Sequence, residues 1–213
     1  MIILYRLVYF YIFVIEMSKA EETSRYIIET VAPIFNKSGY NGTSMSALTK
    51  ATGLTKGAIY GNFENKEELA LKAFNHNVHR VFNLLTKEVD KERSVIGKLK
   101  AMTRFYRIYP VLTHDLGGCP LLNVGVDANH QHEQLFNRVK DVNRKLLRNL
   151  TNLIQGGIDN NELKPSLDAA KYAGLFMSMI EGCIYMGFTL KDPAFIESMM
   201  DYLDESVIKE MSL

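Results

Sequence analysis

The chain has 213 residues, of which 47% are hydrophobic, and its 25 Lys and Arg residues nearly balance 24 Asp and Glu residues. This length allows one or two domains with a real core, and the formal net charge of +1 argues against a protein that binds polyanions over its whole surface. The two cysteines, Cys119 and Cys183, lack the paired spacing of a metal site and fit a reducing cytosol.

The first sixteen residues, M-I-I-L-Y-R-L-V-Y-F-Y-I-F-V-I-E, form a nearly continuous apolar segment interrupted by Arg6. The segment is shorter than the ~20 residues that span a bilayer, and it lacks the small-residue cleavage site of a signal peptide. Three interpretations remain open. Met17 is the true start and residues 1–16 are a translated leader, or the segment packs on the protein as an extra strand or helix, or it tethers the protein to a membrane.

A helix-turn-helix is predicted between Ser44 and Phe63. A hydroxyl at Thr43 or Ser44 can cap a short helix, and Gly53 can adopt the positive φ that ends it. Thr55 can cap a second helix. The apolar side chains at helical spacing, which would face the domain core, are Met45, Leu48, Ala51, Ile59 and Phe63.

The outward face of the second helix has side chains suited to DNA. Lys56 supplies a cation for a guanine edge or a phosphate, and Asn62 has an amide that matches an adenine edge. Tyr60 can donate a hydrogen bond to a phosphate, while Gly57 and Ala58 would let the helix backbone approach a groove closely. A helical hairpin with a solvated lysine would show the same bare pattern, so the exact residues must decide between the two.

The string T-K-G-A-I-Y-G-N-F, followed by E-N-K-E-E-L, resembles the recognition-helix signature of the TetR (tetracycline repressor) family of bacterial regulators. The preceding S-R-Y-I-I-E-T-V-A-P-I-F-N-K-S-G-Y-N-G-T-S resembles the family's first helix and its G-Y-x-x-T link. The resemblance runs without a gap from about Thr23 to Leu71. It implies DNA contacts at Thr43, Ser44, Thr55, Lys56, Gly57, Ala58, Tyr60, Gly61, Asn62 and Lys66.

Two departures from the family pattern reduce the contact surface. Ser46 replaces a longer basic residue, and Gly61 and Asn62 stand where an aromatic residue and a histidine are common. From Met17 to Ala70 the sequence has six Lys or Arg residues and six Asp or Glu residues, so binding would depend on local placement of cations.

The resemblance implies an all-α fold with two parts. Residues 17–66 would form an N-terminal three-helix DNA-binding domain, and residues 67–213 a helical ligand-binding and dimerisation domain. Within the second part, helical spacing predicts helices over residues 66–89, 93–113 with a kink or end at Pro110, 130–156, and about 168–190 and 193–211.

A ligand cavity is expected within the second part, and the segment G-C-P-L-L-N resembles a stretch that lies near the effector cavity in many TetR-like proteins. Glu181 is singled out because a carboxylate on an apolar helix needs a partner, either a cationic ligand or an arginine such as Arg104. The candidate lining residues are Phe105, Tyr106, Tyr109, Leu122, Met177, Glu181 and Tyr185.

Small residues on the predicted helix near 168–190 suggest close approach of another helix, since glycine otherwise disfavours a helix interior. In the resembled family the last two long helices of each subunit form a four-helix dimer interface. An ordinary buried helix is the alternative. The candidate interface residues are Gly174, Ser178, Gly182 and Tyr185.

The sequence therefore predicts a cytoplasmic, homodimeric repressor that binds a palindromic double-stranded DNA operator and is released by a small-molecule effector. No cofactor, metal or membrane partner is expected, because no P-loop, G-x-S-x-G, H-E-x-x-H or dinucleotide fingerprint occurs. Two alternatives remain. One is an all-helical interaction protein with weakened DNA binding, and the other is an enzyme using Cys119 beside His114 and Asp115.

Overall fold

The computed structural model describes the backbone of residues 2–213 and the side chains of residues 19–213. Within this range the chain is all-α, and its single strand-like feature is an isolated antiparallel bridge between Leu163 and Ser212. The interpretations offered for the apolar segment 1–16 lie outside the fully described residues.

Eleven α-helices follow one another along the described chain, with a π-helical stretch, Leu203–Ile208, between the last two. They are α1 Ile2–Gly42, α2 Met45–Thr52, α3 Lys56–Tyr60, α4 Lys66–Val89, α5 Val95–Arg107, α6 Tyr109–Thr113, α7 Pro120–Ala128, α8 Glu133–Asp159, α9 Ala169–Leu190, α10 Ala194–Tyr202 and α11 Lys209–Met211.

The first four helices share an apolar core, because α1 packs against α2 and along α4. Ile27 and Val31 of α1, Leu48 of α2 and Ile59 of α3 are all fully buried. Burial of each such side chain is worth roughly 1.5–3 kcal/mol. The short α2 and α3 are therefore held by this core rather than by their own length, which is too small for an independent helix.

The chain between α4 and α7 breaks earlier than the sequence predicted. The expected helix over residues 93–113 is two helices, α5 and α6, separated at Ile108 (φ −97°, ψ 3°). Pro110 lies in the first turn of α6, where its missing N–H costs nothing. The break precedes the proline because the ring would collide with a helical carbonyl four residues back.

The C-terminal end of α1 is joined to α7 and the loop before it. Gly39 has φ +70°, and the Tyr40 backbone N–H donates to Asp127 Oδ2 at 2.8 Å. A Cβ at position 39 would collide with the Asp127 carboxylate. Asn36 Nδ2 donates to the Leu116 carbonyl at 2.8 Å and to that of Gly118 at 3.1 Å. Helix α1 is thus bonded directly to α7 and to the loop before it.

Among the described residues one helix, α9, is long and apolar enough to cross a membrane, with a mean hydropathy of 1.4. Core helices of globular proteins pass the same test. Phe176, Ile180 and Ile184 of α9 are buried, and the helix packs against α8 and α10, so it contributes to the core of the molecule.

Candidate nucleic-acid interface and ligand cavity

Helix α2 begins and ends at residues whose chemistry suits a cap. Ser44 Oγ accepts a hydrogen bond from the Ala47 N–H at 3.1 Å. Gly53 ends the helix with φ +69°, and its N–H donates to the Thr49 carbonyl at 2.9 Å. The predicted cap and the predicted hinge are both confirmed.

Helix α3 is a single short segment with one inward side chain. Thr55 Oγ1 accepts from the Ala58 N–H at 3.1 Å and so fixes the first turn. Ile59 is fully buried and anchors the helix to the core. Every other α3 residue is exposed, as are the flanking Thr55 and Gly61.

The exposed face of α3 combines a cation, an aromatic ring and two small residues. Lys56 Nζ lies 5.7 Å from the centroid of the Tyr60 ring, which is 36% exposed. A Cβ added at Gly57 would meet only Thr55 Oγ1, at 3.9 Å. This slim, basic surface can approach a groove closely, which a bulkier helix could not.

Besides the capping residues Ser44 and Thr55, three of the residues proposed as DNA contacts are engaged within the protein. Thr43 is buried and donates to the Gly39 carbonyl at 2.6 Å. Asn62 accepts from Ser24 Oγ at 2.9 Å and donates to the Ala58 carbonyl at 2.9 Å. Thr43 would have to leave its buried position to contact a base, whereas Asn62 keeps one amide N–H and one oxygen lone pair free.

Lys66 is the third such residue. Its Nζ donates to the Tyr40 carbonyl at 2.6 Å and lies 4.2 Å from the centroid of the Tyr40 ring. Burial lowers the pKa of this ammonium, with the nearby Asp127 opposing the shift. Lys66 thus joins the start of α4 to the end of α1.

A cavity of about 590 Å³ lies between α4, α5, α8 and α9. Apolar atoms form the larger part of its surface, but ten of the 21 lining residues have polar or charged side chains. The lining residues are Val78, His79, Phe82, Asn83, Leu85, Thr86, Val89, Lys98, Met102, Tyr106, Arg138, Asp141, Val142, Lys145, Leu146, Asn149, Leu150, Leu153, Met177, Ile180 and Glu181.

Of the seven residues proposed for a ligand site, Tyr106, Met177 and Glu181 line this cavity. Phe105 and Tyr109 are buried behind it, with ring centroids 5.5 Å and 5.3 Å from that of Tyr106. Tyr185 is 51% exposed on the outside of α9, and Leu122 belongs to α7.

The wall contributed by α4 and α8 was not foreseen from the sequence. Phe82, Val142, Leu146 and Leu150 have the helical spacing of core residues. An apolar helix face has the same pattern whether it meets another helix or a cavity, so periodicity alone offered no signal.

Glu181 makes no hydrogen bond or ion pair with any side chain or backbone group of residues 19–213, and burial raises the pKa of its carboxyl. The suggestion that Arg104 is its partner is wrong, because Arg104 instead pairs with Glu92 at 2.6 Å. Glu181 therefore presents an uncompensated carboxyl to the cavity.

The Cys119 enzyme alternative has no support in the geometry. Cys119 is buried, and burial together with the charge of Glu181 raises the pKa of its thiol to about 12. A nucleophilic cysteine needs the opposite shift. His114 and Asp115 are highly exposed and interact with each other at 3.4 Å. In the part of the chain with described side chains, no cluster of three His, Cys, Asp or Glu residues suits a metal ion.

The residues proposed for a dimer interface follow one outward stripe of α9. Ser178, Gly182 and Tyr185 are exposed and Gly174 is half-buried. A Cβ added at Gly174 or Gly182 would meet nothing within 4 Å. Large apolar side chains that are also exposed on α9 and α10 are Leu175, Met186, Leu190, Phe195 and Tyr202.

Two family models match the chain. The model described as "Bacterial regulatory proteins, tetR family" matches residues 27–73, and the model described as "Tetracyclin repressor-like, C-terminal domain" matches residues 96–203. The first match contains α2 and α3, and the second contains most of the cavity wall.

Solved structures and a curated protein are similar over most of their lengths. A TetR-family regulator from Cytophaga hutchinsonii is 33% identical, with 92% of this chain and 97% of that one aligned and a TM-score of 0.81. A TetR regulator from Chloroflexus aurantiacus is 30% identical, with 92% and 99% aligned and a TM-score of 0.87. The HTH-type transcriptional regulator TtgR of Pseudomonas putida is 26% identical over 82% of this chain and 84% of its own.

Proposed function

The chain belongs to the tetR family of bacterial transcriptional regulators, and from that premise we propose that it is a homodimeric repressor released from a palindromic DNA operator by a small-molecule effector. The family consists of regulators rather than enzymes. Such a regulator works on DNA in the bacterial cytoplasm.

The observation that carries the proposal is the exposed face of α3. Lys56 and Tyr60 lie side by side on it, with Gly57 and Ala58 free of neighbouring bulk. In a helix-turn-helix the second helix enters the major groove and its N-terminal residues meet base edges. Thr55 and Lys56 are those residues here.

A two-fold symmetric dimer would present two copies of α3 to one face of the duplex. The half-sites of its operator would then be centred about one helical turn (~34 Å) or slightly more apart. The outward stripe of α9, with small residues flanked by exposed Leu175 and Met186, supports pairing of two subunits there.

Helix α4 offers a route from the cavity to the DNA. Its last three turns, from Val78 to Val89, form part of the cavity wall, while Lys66 at its start holds Tyr40 of α1. A ligand can shift this arrangement only if it binds one conformation better than the other. The dimer would leave the DNA when, in the conformation that the ligand prefers, the distance between the two α3 helices no longer matches the distance between the operator half-sites.

Fluorescence anisotropy with a labelled duplex from the protein's own promoter region tests DNA binding. We expect Lys56→Ala to weaken binding about tenfold and to reduce the slope of log affinity against log salt by about 1. Lys100→Ala, which removes an exposed lysine of α5 outside the predicted sites, is the matched control. It should change neither the affinity nor the salt slope.

A folded dimer that binds no part of its promoter region at low salt would contradict the proposal. The all-helical interaction protein would then be favoured, since Gly61 and the engaged Asn62 already reduce the DNA-facing surface. An equal salt slope for wild type and Lys56→Ala would show that Lys56 does not contact a phosphate.

A further inference from the structure

We propose that the effector is a hydrophobic organic cation whose charged centre lies against the Glu181 carboxylate. This inference rests on the proposed function, because it names the class of ligand for the regulator's cavity. It is carried by three features of that cavity: an acid without a partner among residues 19–213, aromatic and thioether side chains on the same wall, and a volume suited to a drug-sized molecule.

The first feature is the lack of any counter-charge for Glu181. No cation or hydrogen-bond donor among residues 19–213 contacts its carboxylate, although it belongs to the cavity wall. Glu181 is half-buried, and an ionised group that loses part of its hydration is stabilised by a partner of opposite charge. A ligand that brings its own positive charge would supply the missing partner.

The second feature is the set of aromatic and thioether side chains that line the same cavity as the acid. Phe82 and Tyr106 add aromatic rings to the same wall, and Met102 and Met177 add polarizable thioethers. Burial raises the pKa of Tyr106, with the charge of Glu181 as the next cause, so its phenol stays neutral beside the carboxylate. Aromatic faces attract a desolvated organic cation by about 2 kcal/mol, which adds to the attraction of the acid.

The third feature is size. The cavity volume of about 590 Å³ falls within the roughly 300–1,000 Å³ of ordinary small-molecule sites. This excludes a bare inorganic ion as the natural occupant, because an ion would leave most of the apolar wall unfilled.

Cations are also present on the wall, and they define the competing outcome. Lys98, Arg138 and Lys145 line the cavity, with Asp141 among them. Arg138 Nε donates to Asn75 Oδ1 at 2.6 Å, and Lys145 is exposed to solvent. Glu181, Lys98 and Arg138 are all half-buried, so water and salt screen part of each charge, whereas Asp141 and Lys145 are exposed and screened more fully. If these three cations determine the charge preference of the cavity instead, an anion will bind more tightly than a cation.

The test uses tetraphenylphosphonium and tetraphenylborate, which have nearly the same shape and opposite charge. Isothermal titration calorimetry measures the dissociation constant of each for the full-length wild type, for Glu181→Gln and for the control Glu133→Gln. Glu133 is an exposed acid at the start of α8, outside the cavity. Circular dichroism and melting temperature confirm that each variant is folded.

We expect the wild type and Glu133→Gln to bind the phosphonium at least tenfold more tightly than the borate, and Glu181→Gln to lose that preference. Tighter binding of the borate to the wild type would overturn the proposal. So would an unchanged preference in Glu181→Gln, or no binding of the phosphonium up to millimolar concentration.

The operator duplex separates this proposal from the function on which it rests. If the protein binds DNA and only the borate releases it, the proposed regulatory function is supported and the proposed cationic ligand is contradicted. If the protein binds no DNA but its preference for the phosphonium depends on Glu181, the proposed ligand is supported and the proposed regulatory function is contradicted.

Discussion

Glu181 is unfavourable for folding when it is ionised, and in the proposal above the same side chain binds the ligand. Its carboxyl has no partner among residues 19–213, so its ionised form costs folding free energy that a core glutamine would not. Functional sites often retain such groups, because the missing interaction is supplied by the ligand. The cost has a measurable pH dependence.

We predict that Glu181→Gln stabilises the ligand-free protein at neutral pH by about 1 kcal/mol, or ~2–4 °C in melting temperature. Burial raises the pKa of the folded-state carboxyl. Glu181 therefore favours the folded state most below its unfolded pKa of about 4.3, and that contribution is lost as pH rises through the folded pKa. Differential scanning calorimetry at fixed protein concentration should show the gap between variant and wild type widening from pH 4 to 8. A gap that does not change with pH would contradict the assigned cause.

Residue-level predictions from sequence succeeded where the partner is near in the chain. Ser44 and Thr55 bond to groups three residues away, so cap chemistry identified them. Lys66 is predicted as a DNA contact, yet it bonds to Tyr40, 26 residues away. Thr43 likewise has the right chemistry but is buried. Nothing in a single sequence reports which polar side chains a fold will turn inward.

At the scale of elements, Gly53 determines the angle between α2 and α3. Its φ of +69° lies in the left-handed region, and a Cβ there would meet no atom within 4 Å. The requirement for glycine is therefore purely conformational. The caps at Ser44 and Thr55 could likewise be predicted from neighbouring residues. The position of the break at Ile108 could not, because it depends on the clash of the Pro110 ring with a carbonyl four residues back in a continuous helix.

We predict that Gly53→Ala destabilises the protein by about 1–2 kcal/mol, because an alanine resists the left-handed conformation. Gly156→Ala is the matched control, since Gly156 lies inside α8 and a methyl group added there would meet nothing within 4 Å. Alanine favours a helix interior by about 1 kcal/mol, so this control should gain stability. Urea denaturation measures both, and similar shifts in the same direction would refute the conformational explanation.

At the scale of the whole molecule, the outer face of α9 and α10 is unusually apolar for a surface. Tyr185, Met186 and Phe195 are all exposed there beside the open Gly174 and Gly182. Contiguous exposed apolar patches commonly mark an interface. The stripe was predictable from the spacing of small residues, but the neighbouring side chains of α10 became apparent only once the two helices were seen to pack together.

We predict that Gly182→Arg raises the dimer dissociation constant by about 30-fold or more, equivalent to ~2 kcal/mol. The arginine meets no atom of its own subunit within 4 Å of its Cβ, so the subunit fold should survive. Asn160→Arg, in the exposed turn after α8, is the control and should leave the constant unchanged. Sedimentation velocity over a concentration series measures the constants. An unaltered Gly182→Arg dimer would place the interface elsewhere.

The joint between α1 and α7 has a consequence for building hybrid regulators. Gly39 and Asn36 belong to the DNA-side segment, whereas their partners Asp127, Leu116 and Gly118 come from the far side of position 66. A hybrid in which only residues 17–66 are exchanged would therefore lose the fit between Gly39 and Asp127 and the hydrogen bonds from Asn36. A hybrid that joins another DNA-binding segment to residues 67–213 therefore also needs the donor's segment 114–128, or a donor that already has glycine and asparagine at the positions of Gly39 and Asn36.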